Sequence, residues 1–204
     1  MNKENRVAVI LAGGKASRMQ GQDKAMLPLW GKPLIEHTLD RLQGHVNQIV
    51  ISINQNPERL SELRLVCIED AKSAESSPLL GILSALDYFA SQSRQIQSML
   101  CLPVDVPVYP ECVIDDLFVC AESTASGLAY VEVANQVQPL FSIWPLSIRD
   151  ELRESVHRGE LGVMRNLARL DAGVLRVESP DPLDFANINT PAELEALRQE
   201  KLSC

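Results

Sequence analysis

Two patterns of hydrophobic residues alternate along the chain. Short apolar runs, such as residues 6–11, are typical of strands that are buried on both faces of a sheet. Longer segments with apolar residues at helical spacing, such as residues 33–42 and 78–89, are typical of amphipathic helices. Their alternation predicts an α/β fold of three layers, in which helices cover both faces of a mostly parallel sheet.

The individual elements follow from the same two patterns. Thr190, Pro191 and Glu193 also fit the N-cap, N1 and N3 positions of a helix that begins with a capping box. Strands are predicted at residues 6–11, 48–53, 65–68, 98–102, 128–133, 139–144, 174–177 and 185–188. Helices are predicted at residues 33–42, 57–63, 78–89, 110–120, 146–157 and 163–170, and directly after Thr190.

Length and composition narrow the class of protein. A chain of 204 residues with 46% hydrophobic and 23% charged residues fits one globular domain, which we expect to span residues 1–204. Its five cysteines form no C-x-x-C pair, so we predict neither a zinc site nor a disulfide framework. No export signal or membrane-spanning run is visible, and we therefore expect a cytoplasmic protein.

The charge is unevenly distributed along the chain. The formal net charge is −8, which argues against a general nucleic-acid binder and against binding to an anionic membrane. Residues 1–32 nevertheless hold six basic and only two acidic side chains. This local excess of positive charge predicts an anion site near the start of the chain.

Polar residues that follow the predicted strands are the candidates for a binding site. In open α/β sheets, ligands bind at the carboxyl ends of the strands, near the point where the strand order reverses. The candidates are the loop at residues 12–24, Asn54, Asp70, Asp105, Asn187 and Asn189.

The loop at residues 12–24 has three features that a triphosphate requires. Gly13 and Gly14 let the backbone turn sharply, so that exposed N–H groups can approach phosphate oxygens. Arg18 offers a planar pair of donors and Lys24 offers a point charge. The loop therefore predicts phosphate binding, and the alternative is a solvated turn whose glycines only shape the backbone.

Two better-known phosphate motifs do not fit this loop. The P-loop motif G-x-x-x-x-G-K-[ST] fails because Ala16 separates Lys15 from Ser17. The dinucleotide fingerprint G-x-G-x-x-G is also absent.

The same stretch of sequence resembles the signature of the nucleotidyltransferase superfamily. The matching segments are Leu-Ala-Gly-Gly at residues 11–14, Arg-Met-Gln-Gly-Gln-Asp-Lys at 18–24, Leu27, and Gly-Lys-Pro-Leu at 31–34. The second segment resembles in particular that of the molybdenum cofactor guanylyltransferases. The resemblance covers most of the chain and is strongest over the first 35 residues.

The resemblance implies a Rossmann-like nucleotidyltransferase fold with two functional halves. We expect residues from about 1 to 110 to bind the nucleotide and residues from about 111 to 204 to bind the acceptor. Leu11, Ala12, Gly13 and Gly14 would then contact the nucleotide.

Asp105 is the candidate metal ligand. It follows the predicted strand at residues 98–102, and Mg²⁺ in proteins usually takes one or two carboxylates in addition to substrate phosphates. The residues alone leave open a turn-forming aspartate between two prolines. The resemblance implies that Asp105 binds Mg²⁺.

Further nucleotide contacts are implied by the resemblance. Asn54 and Asp70 end the second and third strands and would help to bind the base, although Asn54 alone also fits a turn cap. The family usually has Gly-Pro-Leu-x-Gly where this chain has Ser77 followed by Pro78, Leu79, Leu80 and Gly81. Ser77 departs from that pattern, and the residues alone do not decide between guanine and cytosine.

Asn187 and Asn189 match the carboxyl-terminal motif of the family. They are two residues apart on a predicted strand, so their side chains share a face. The alternative is that they cap the strand end and the final helix. The resemblance implies a place near the metal and the acceptor phosphate.

The implied reaction is the transfer of GMP from GTP to the phosphate of molybdenum-bound molybdopterin. Arg18, Lys24 and Asp105 would be the catalytic residues, and no protein nucleophile is needed because the acceptor phosphate is already ionised. A molybdopterin cytidylyltransferase and a non-catalytic nucleotide-binding protein are the alternatives. Partners would be GTP, molybdopterin and other proteins of molybdenum cofactor synthesis or insertion, without nucleic acid or membrane.

Overall fold

The main feature of the fold is a sheet of seven strands. The computed structural model describes residues 3–13, 23–54, 57–73, 75–93, 95–178, 181 and 183–200. A separate two-stranded hairpin precedes the first helix. The strands are β1 (Arg6–Leu11), β2 (Pro28–Leu29), β3 (Lys32–Pro33), β4 (Gln48–Ser52), β5 (Val66–Ile68), β6 (Ser98–Pro103), β7 (Ala129–Val133), β8 (Gln136–Pro145) and β9 (Gly173–Val177).

The helices lie between the strands, as the alternating pattern predicts. Short 3₁₀ helices are found at Lys3–Asn5, Lys24–Met26, Pro57–Leu63 and Leu146–Ile148. The α-helices are α1 (Leu34–Leu42), α2 (Pro78–Gln92), α3 (Val113–Glu122), α4 (Arg149–His157), α5 (Val163–Arg169) and α6 (Pro191–Glu200). Within the described ranges, no helix combines the length and hydrophobicity that a membrane span requires.

The strand order of the sheet is β5-β4-β1-β6-β8-β7-β9. Strands β5, β4, β1 and β6 are parallel, and β9 is parallel to β7, so the prediction of a mostly parallel sheet is confirmed. Strand β8 runs antiparallel to both of its neighbours. The chain passes from β1 to β4 on one side and returns to β6 on the other, which creates a switch point at the carboxyl ends of β1 and β6.

The two faces of the sheet bury separate hydrophobic layers. In β1, Ala8 and Ile10 pack with α1 and α3 on one face, whereas Val7 and Val9 pack with α2, α4 and α5 on the other. All six residues of β1 are buried, which explains its nearly continuous apolar sequence. A third cluster joins the β2–β3 hairpin to α6 through Leu29, Leu194 and Leu197.

The predicted strand at residues 185–188 is wrong. Phe185 has a φ of +61°, which is incompatible with a strand, and the segment around it forms a turn followed by irregular backbone. The N–H of Phe185 donates to the carbonyl of Val108, and the N–H of Ile188 donates to the carbonyl of Asp105. This segment is therefore tied to the chain that follows β6 instead of forming part of the sheet.

The sequence also missed the β2–β3 hairpin. Its two central residues, Trp30 and Gly31, have φ values of +49° and +89°, as the tightest hairpin turns require. Asparagine or aspartate usually takes the first of these positions, so Trp30 gave no turn signal. Because Pro33 belongs to the second strand of the hairpin, α1 begins at Leu34, and Pro33 precedes the helix instead of being its first residue.

Candidate functional site

The predicted site residues lie where four parallel strands end. Leu11 is the last residue of β1, Asn54 and Asp70 follow β4 and β5 by two residues each, and Asp105 follows β6 by two. The N–H of Val104 donates to the carbonyl of Leu11 at 3.2 Å, which joins the ends of β1 and β6. The structure thus gathers these residues along the edge of the sheet at which its switch point lies.

Lys24, Asp105 and Asn189 form a compact polar cluster. The Nζ atom of Lys24 lies 2.6 Å from Oδ2 of Asp105 and 2.8 Å from Oδ1 of Asn189. The side chains of Lys24 and Asp105 are 24% and 22% exposed, so the pair is accessible from solvent. One ammonium group therefore sits between a carboxylate and an amide oxygen from two distant segments of the chain.

The position of Lys24 is set by the short 3₁₀ helix Lys24–Met26, of which it is the first residue. Asp23 caps this 3₁₀ helix by accepting a hydrogen bond from the N–H of Ala25, and Ala25 is fully buried. Burial of Ala25 anchors the turn in the core, while the Lys24 side chain beside it stays partly exposed.

Asn189 is placed by the capping box of α6. The carboxylate of Glu193 accepts from the N–H groups of Asn189 and Thr190, and the N–H of Glu193 donates to Oγ1 of Thr190. The predicted capping box is confirmed. The hydrogen bond from the Asn189 backbone is the main cause that lowers the pKa of Glu193, with smaller contributions from Thr190 and Lys24.

A second cluster surrounds Asp70. The hydroxyl of Ser52 donates to Oδ1 of Asp70 at 2.5 Å, while Oδ2 faces Gly13, where an added Cβ atom would lie 3.8 Å away. The same Cβ at Gly13 would lie 3.1 Å from the amide nitrogen of Asn54. Glycine at position 13 thus keeps the backbone close to both predicted base-binding side chains.

The first turn of α2 packs against this cluster. Gly81 leaves no room for a side chain, because a Cβ there would overlap Oγ of Ser52 and lie 2.9 Å from Oδ1 of Asp70. Pro78 takes the first position of the helix, as expected. Leu79 is fully buried in the hydrophobic layer and packs the first turn of α2 against the sheet.

Ser77 has a structural role that the sequence did not suggest. Its hydroxyl accepts from the N–H of Leu79, which makes it the N-cap of α2, and it donates to the carbonyl of Leu161 at 2.6 Å. The departure from the glycine of the family pattern is therefore accompanied by two hydrogen bonds.

The remaining predicted site residues are the two asparagines near the carboxyl end and two residues of the loop after β1. Asn187 is exposed, whereas Asn189 is half-buried and contacts Lys24. Because the predicted strand at residues 185–188 is absent, the shared face expected for the two asparagines no longer follows from strand geometry. Gly14 and Arg18 lie outside the described residues.

The donor atoms of the Lys24 cluster suit a divalent cation. The Asp105 carboxylate and the Asn189 amide supply hard oxygen ligands, and both already contact one cationic group, the Lys24 ammonium. Within the described residues, no group of three or more His, Cys, Asp or Glu side chains could hold a metal. The oxygen donors present therefore fit a cation that completes its coordination with substrate oxygens.

Ser52 is the site residue that sequence reasoning missed. It ends a β-branched strand two residues before Asn54, and a small polar residue there gives no signal beyond the end of the strand. Its contact with Asp70 depends on the parallel pairing of β4 with β5, in which Ser52 is opposite Ile68.

Comparison with known proteins identifies a family model and similar sequences that span most of the chain. The family model of the MobA-like NTP transferase domain matches residues 8–174. Molybdenum cofactor guanylyltransferases of Shewanella amazonensis and Rhizobium meliloti are 32% and 35% identical to this chain over 190 and 195 residues. These alignments cover 93% and 92% of this chain, and 94% and 88% of the relatives.

Solved structures share the same fold. Molybdopterin-guanine dinucleotide biosynthesis protein A from Archaeoglobus fulgidus superposes with a TM-score of 0.76 and 23% identity, covering 97% of this chain and all of that protein. Rv0371C from Mycobacterium tuberculosis, in a complex with manganese, superposes with a TM-score of 0.69 and 16% identity, covering 96% of this chain and 98% of that protein.

Proposed function

Because the chain belongs to the MobA-like NTP transferase family, we propose that it transfers GMP from GTP to the phosphate of molybdenum-bound molybdopterin and releases pyrophosphate. The chain is a nucleotidyltransferase, and its relatives are named for this guanylyl transfer. The observation that carries the proposal for the site is the contact of Lys24 with both Asp105 and Asn189.

The chain's own residues position the reactants and balance their charge. Lys24, together with Arg18 and the N–H groups of the Gly13-Gly14 loop, offsets the charge of the β- and γ-phosphates. An oxygen of the acceptor phosphate then attacks the α-phosphorus in line, and pyrophosphate leaves. Positioning and electrostatics suffice for such a step, so no protein nucleophile is required.

Asp105 and Asn189 are the residues that would hold the divalent cation. A bound cation of this kind supplies charge neutralisation at the phosphate oxygens. We propose Mg²⁺, because the donors are oxygens and Mg²⁺ is usually held by one or two carboxylates and substrate phosphates. The manganese complex of the related M. tuberculosis structure supports a divalent cation.

The cluster around Asp70 is the proposed base site. The carboxylate is an acceptor that complements the N1–H and 2-amino donors of guanine. Asn54 lies against Gly13 beside it, and Leu11 and Ala12 lead from β1 into the same corner. Pro78, Leu79 and Gly81 form its floor through the first turn of α2.

We propose the same two functional halves that the resemblance implies. The nucleotide-binding residues fall between about 1 and 110, and the acceptor-binding half would span about 111 to 204, where Asn187 and Asn189 would face the acceptor phosphate. We expect the reaction to take place in the cytoplasm, with other proteins of molybdenum cofactor synthesis or insertion as partners.

Pyrophosphate release with molybdopterin and Mg²⁺ tests the proposed reaction. We expect turnover with GTP and much lower turnover with CTP, ATP or UTP, and we expect chelation of the cation to abolish it. A preference for CTP would replace the guanylyl assignment with a cytidylyl one. Binding of GTP without pyrophosphate release would instead indicate a non-catalytic nucleotide-binding protein.

A further inference from the structure

Ser52 holds one oxygen of the Asp70 carboxylate from inside the sheet. The serine is only 1% exposed, and its hydroxyl donates to Oδ1 of Asp70 at 2.5 Å. A buried hydroxyl needs a partner, and a bond to a charged acceptor is among the stronger hydrogen bonds. This bond fixes the rotation of the carboxylate and leaves Oδ2 on the side of Gly13.

The backbone of Ser52 also holds the residue that follows β1. Its carbonyl accepts a hydrogen bond at 3.0 Å from the N–H of Ala12, the residue that precedes Gly13. In the sheet, Ser52 is opposite Leu11 of β1 and Ile68 of β5. One residue therefore contacts both Ala12, directly before Gly13, and Asp70.

Helix α2 leaves the serine and the carboxylate no freedom to move apart. A Cβ at Gly81 would overlap Oγ of Ser52 and lie 2.9 Å from Oδ1 of Asp70, so both groups are pressed against the helix backbone. Confinement of this kind holds a recognition group within the narrow range of geometry that specificity needs.

We infer that Ser52 is a positioning residue that determines base specificity by aiming the Asp70 carboxylate at a paired donor edge. An ionised carboxylate only accepts hydrogen bonds, and guanine presents the N1–H and 2-amino donors side by side. The corresponding edge of cytosine presents the O2 and N3 acceptors, which a fixed carboxylate repels. The inference rests on the proposed function, because it assumes that Asp70 contacts the base.

Binding of GTP and ITP to the full-length protein with Mg²⁺, measured by titration calorimetry, tests this role. The proteins are the wild type, Ser52→Ala, Asp70→Asn and the double variant. ITP lacks only the 2-amino group, so the ratio of the GTP and ITP affinities reports the aim of the carboxylate. Ser142→Ala is the matched control, because Ser142 is also fully buried in the sheet and its hydroxyl accepts from Nε1 of Trp144.

We expect Ser52→Ala to weaken GTP binding about 5–10-fold and ITP binding less, as the net loss of one ordinary hydrogen bond would do. In the Asp70→Asn background the same change should alter GTP affinity less than about twofold, because the two residues act as a unit. Ser142→Ala should leave the GTP affinity at the wild-type value.

Three results would overturn the inference. GTP affinity of Ser52→Ala within about twofold of wild type, with an unchanged ratio to ITP, would show that the hydroxyl does not aim the carboxylate. Losses that multiply in the double variant would show two independent roles. Wild-type affinity in Asp70→Asn would remove both this inference and the proposed base site, whereas the first two results leave the proposed function standing.

Discussion

Lys24 is the residue at which two distant parts of the chain meet. Its ammonium contacts Asp105, which follows the sheet, and Asn189, which precedes α6. The pair with Asp105 is only about a quarter exposed, and the cost of removing both charges from water offsets much of their attraction, so its net contribution to the stability of the fold is modest. We therefore expect the main effect of changes in this cluster to be on binding and turnover.

Replacement Asp105→Asn tests the carboxylate directly. The amide keeps an oxygen acceptor for Lys24 but removes the negative charge that would hold a divalent cation. We expect the rate of pyrophosphate release to fall about 100-fold or more, since a bound cation is worth several kcal/mol of transition-state stabilisation. The free energy of unfolding, measured with urea, should change by less than about 1 kcal/mol.

Asp87→Asn is the control for this prediction. Asp87 is an aspartate on α2 that is also paired with basic side chains, those of Arg149 and Arg153. Its replacement should leave turnover unchanged. Near-normal turnover in Asp105→Asn would contradict the metal assignment.

Replacement Gly81→Ala tests the floor of the Asp70 cluster. The added methyl group would overlap Oγ of Ser52, at a cost of about 1–3 kcal/mol, while the better helix propensity of alanine returns at most about 1 kcal/mol. We expect a net loss of about 1–2 kcal/mol in the free energy of unfolding, together with weaker GTP binding.

Gly162→Ala provides the comparison for Gly81. Its Cβ would lie 3.5 Å from the nearest atom, which is ordinary contact, and its φ is −73°. We expect a loss below about 1 kcal/mol and unchanged GTP binding. Equal effects of the two replacements would mean that the space at Gly81 is not special.

At the scale of elements, the starts of α2 and α6 position two parts of the candidate site, Gly81 and Asn189. Each helix begins with a side-chain cap, from Ser77 in α2 and from Thr190 with Glu193 in α6. Because Gly81 and Asn189 lie close to these caps in the chain, the caps fix the backbone on which two parts of the site depend. Ser77 also bonds to Leu161, so the start of α2 is tied to the segment between α4 and α5.

Replacement Ser77→Ala removes the cap of α2 and the bond to Leu161 together. Loss of an N-cap costs about 1 kcal/mol, and the unpaired partner adds to this, so we expect the free energy of unfolding to fall by about 1–2 kcal/mol. Urea unfolding followed by circular dichroism measures the change.

The control is Ser91→Ala in the same helix. Ser91 is exposed, and its hydroxyl donates to the carbonyl of Tyr88. We expect a change below about 0.5 kcal/mol there, as for most surface substitutions. A loss in Ser77→Ala no greater than that in Ser91→Ala would argue against the capping role.

At the scale of the whole molecule, the two ends of β1 serve different purposes. Leu11 at the carboxyl end borders the candidate site, whereas Arg6 at the amino end donates to Asp115 at 2.5 Å and stacks over the ring of Phe118. These ends are separated by roughly 17 Å, the length of a six-residue strand. Asp115 also contacts Lys3 and His45, so it joins α3 to the start of the chain and to the segment after α1, away from the site.

The stability contributed by Asp115 depends on pH. Burial alone would raise the pKa of its carboxyl, but hydrogen bonds from Lys3, Arg6 and His45 outweigh burial and lower the pKa from 3.8 to about 2. Because the folded-state pKa is the lower one, the contribution is fully present above pH 3.8 and is lost as the pH falls towards about 2.

Urea unfolding of Asp115→Asn across this pH range tests the cluster. The variant should be less stable than the wild type at neutral pH, and the difference should shrink between pH 3.8 and about 2. Asp116→Asn, at an exposed neighbouring position, should show no such convergence. A difference that stays constant with pH would exclude the carboxylate as its cause.

The sequence by itself determined most of the elements and the candidate site residues that follow the strands. A run of five apolar residues at positions 7–11 indicates a buried strand, and Pro78 at a first helical position and Thr190 at an N-cap position mark helix starts through local structure. Because polar residues at strand ends are adjacent to their strands in the chain, Asp70 and Asp105 could be predicted as site residues from local order alone.

Only the tertiary structure decided which of these residues meet. The side-chain period of a strand is the same in either direction, so the sequence could not reveal that β8 runs antiparallel. Nor could it pair Ser52 with Asp70, or Lys24 with Asn189 across 165 positions of the chain. Those contacts arise from strand order and helix packing, which depend on the simultaneous burial of the whole core rather than on any local pattern.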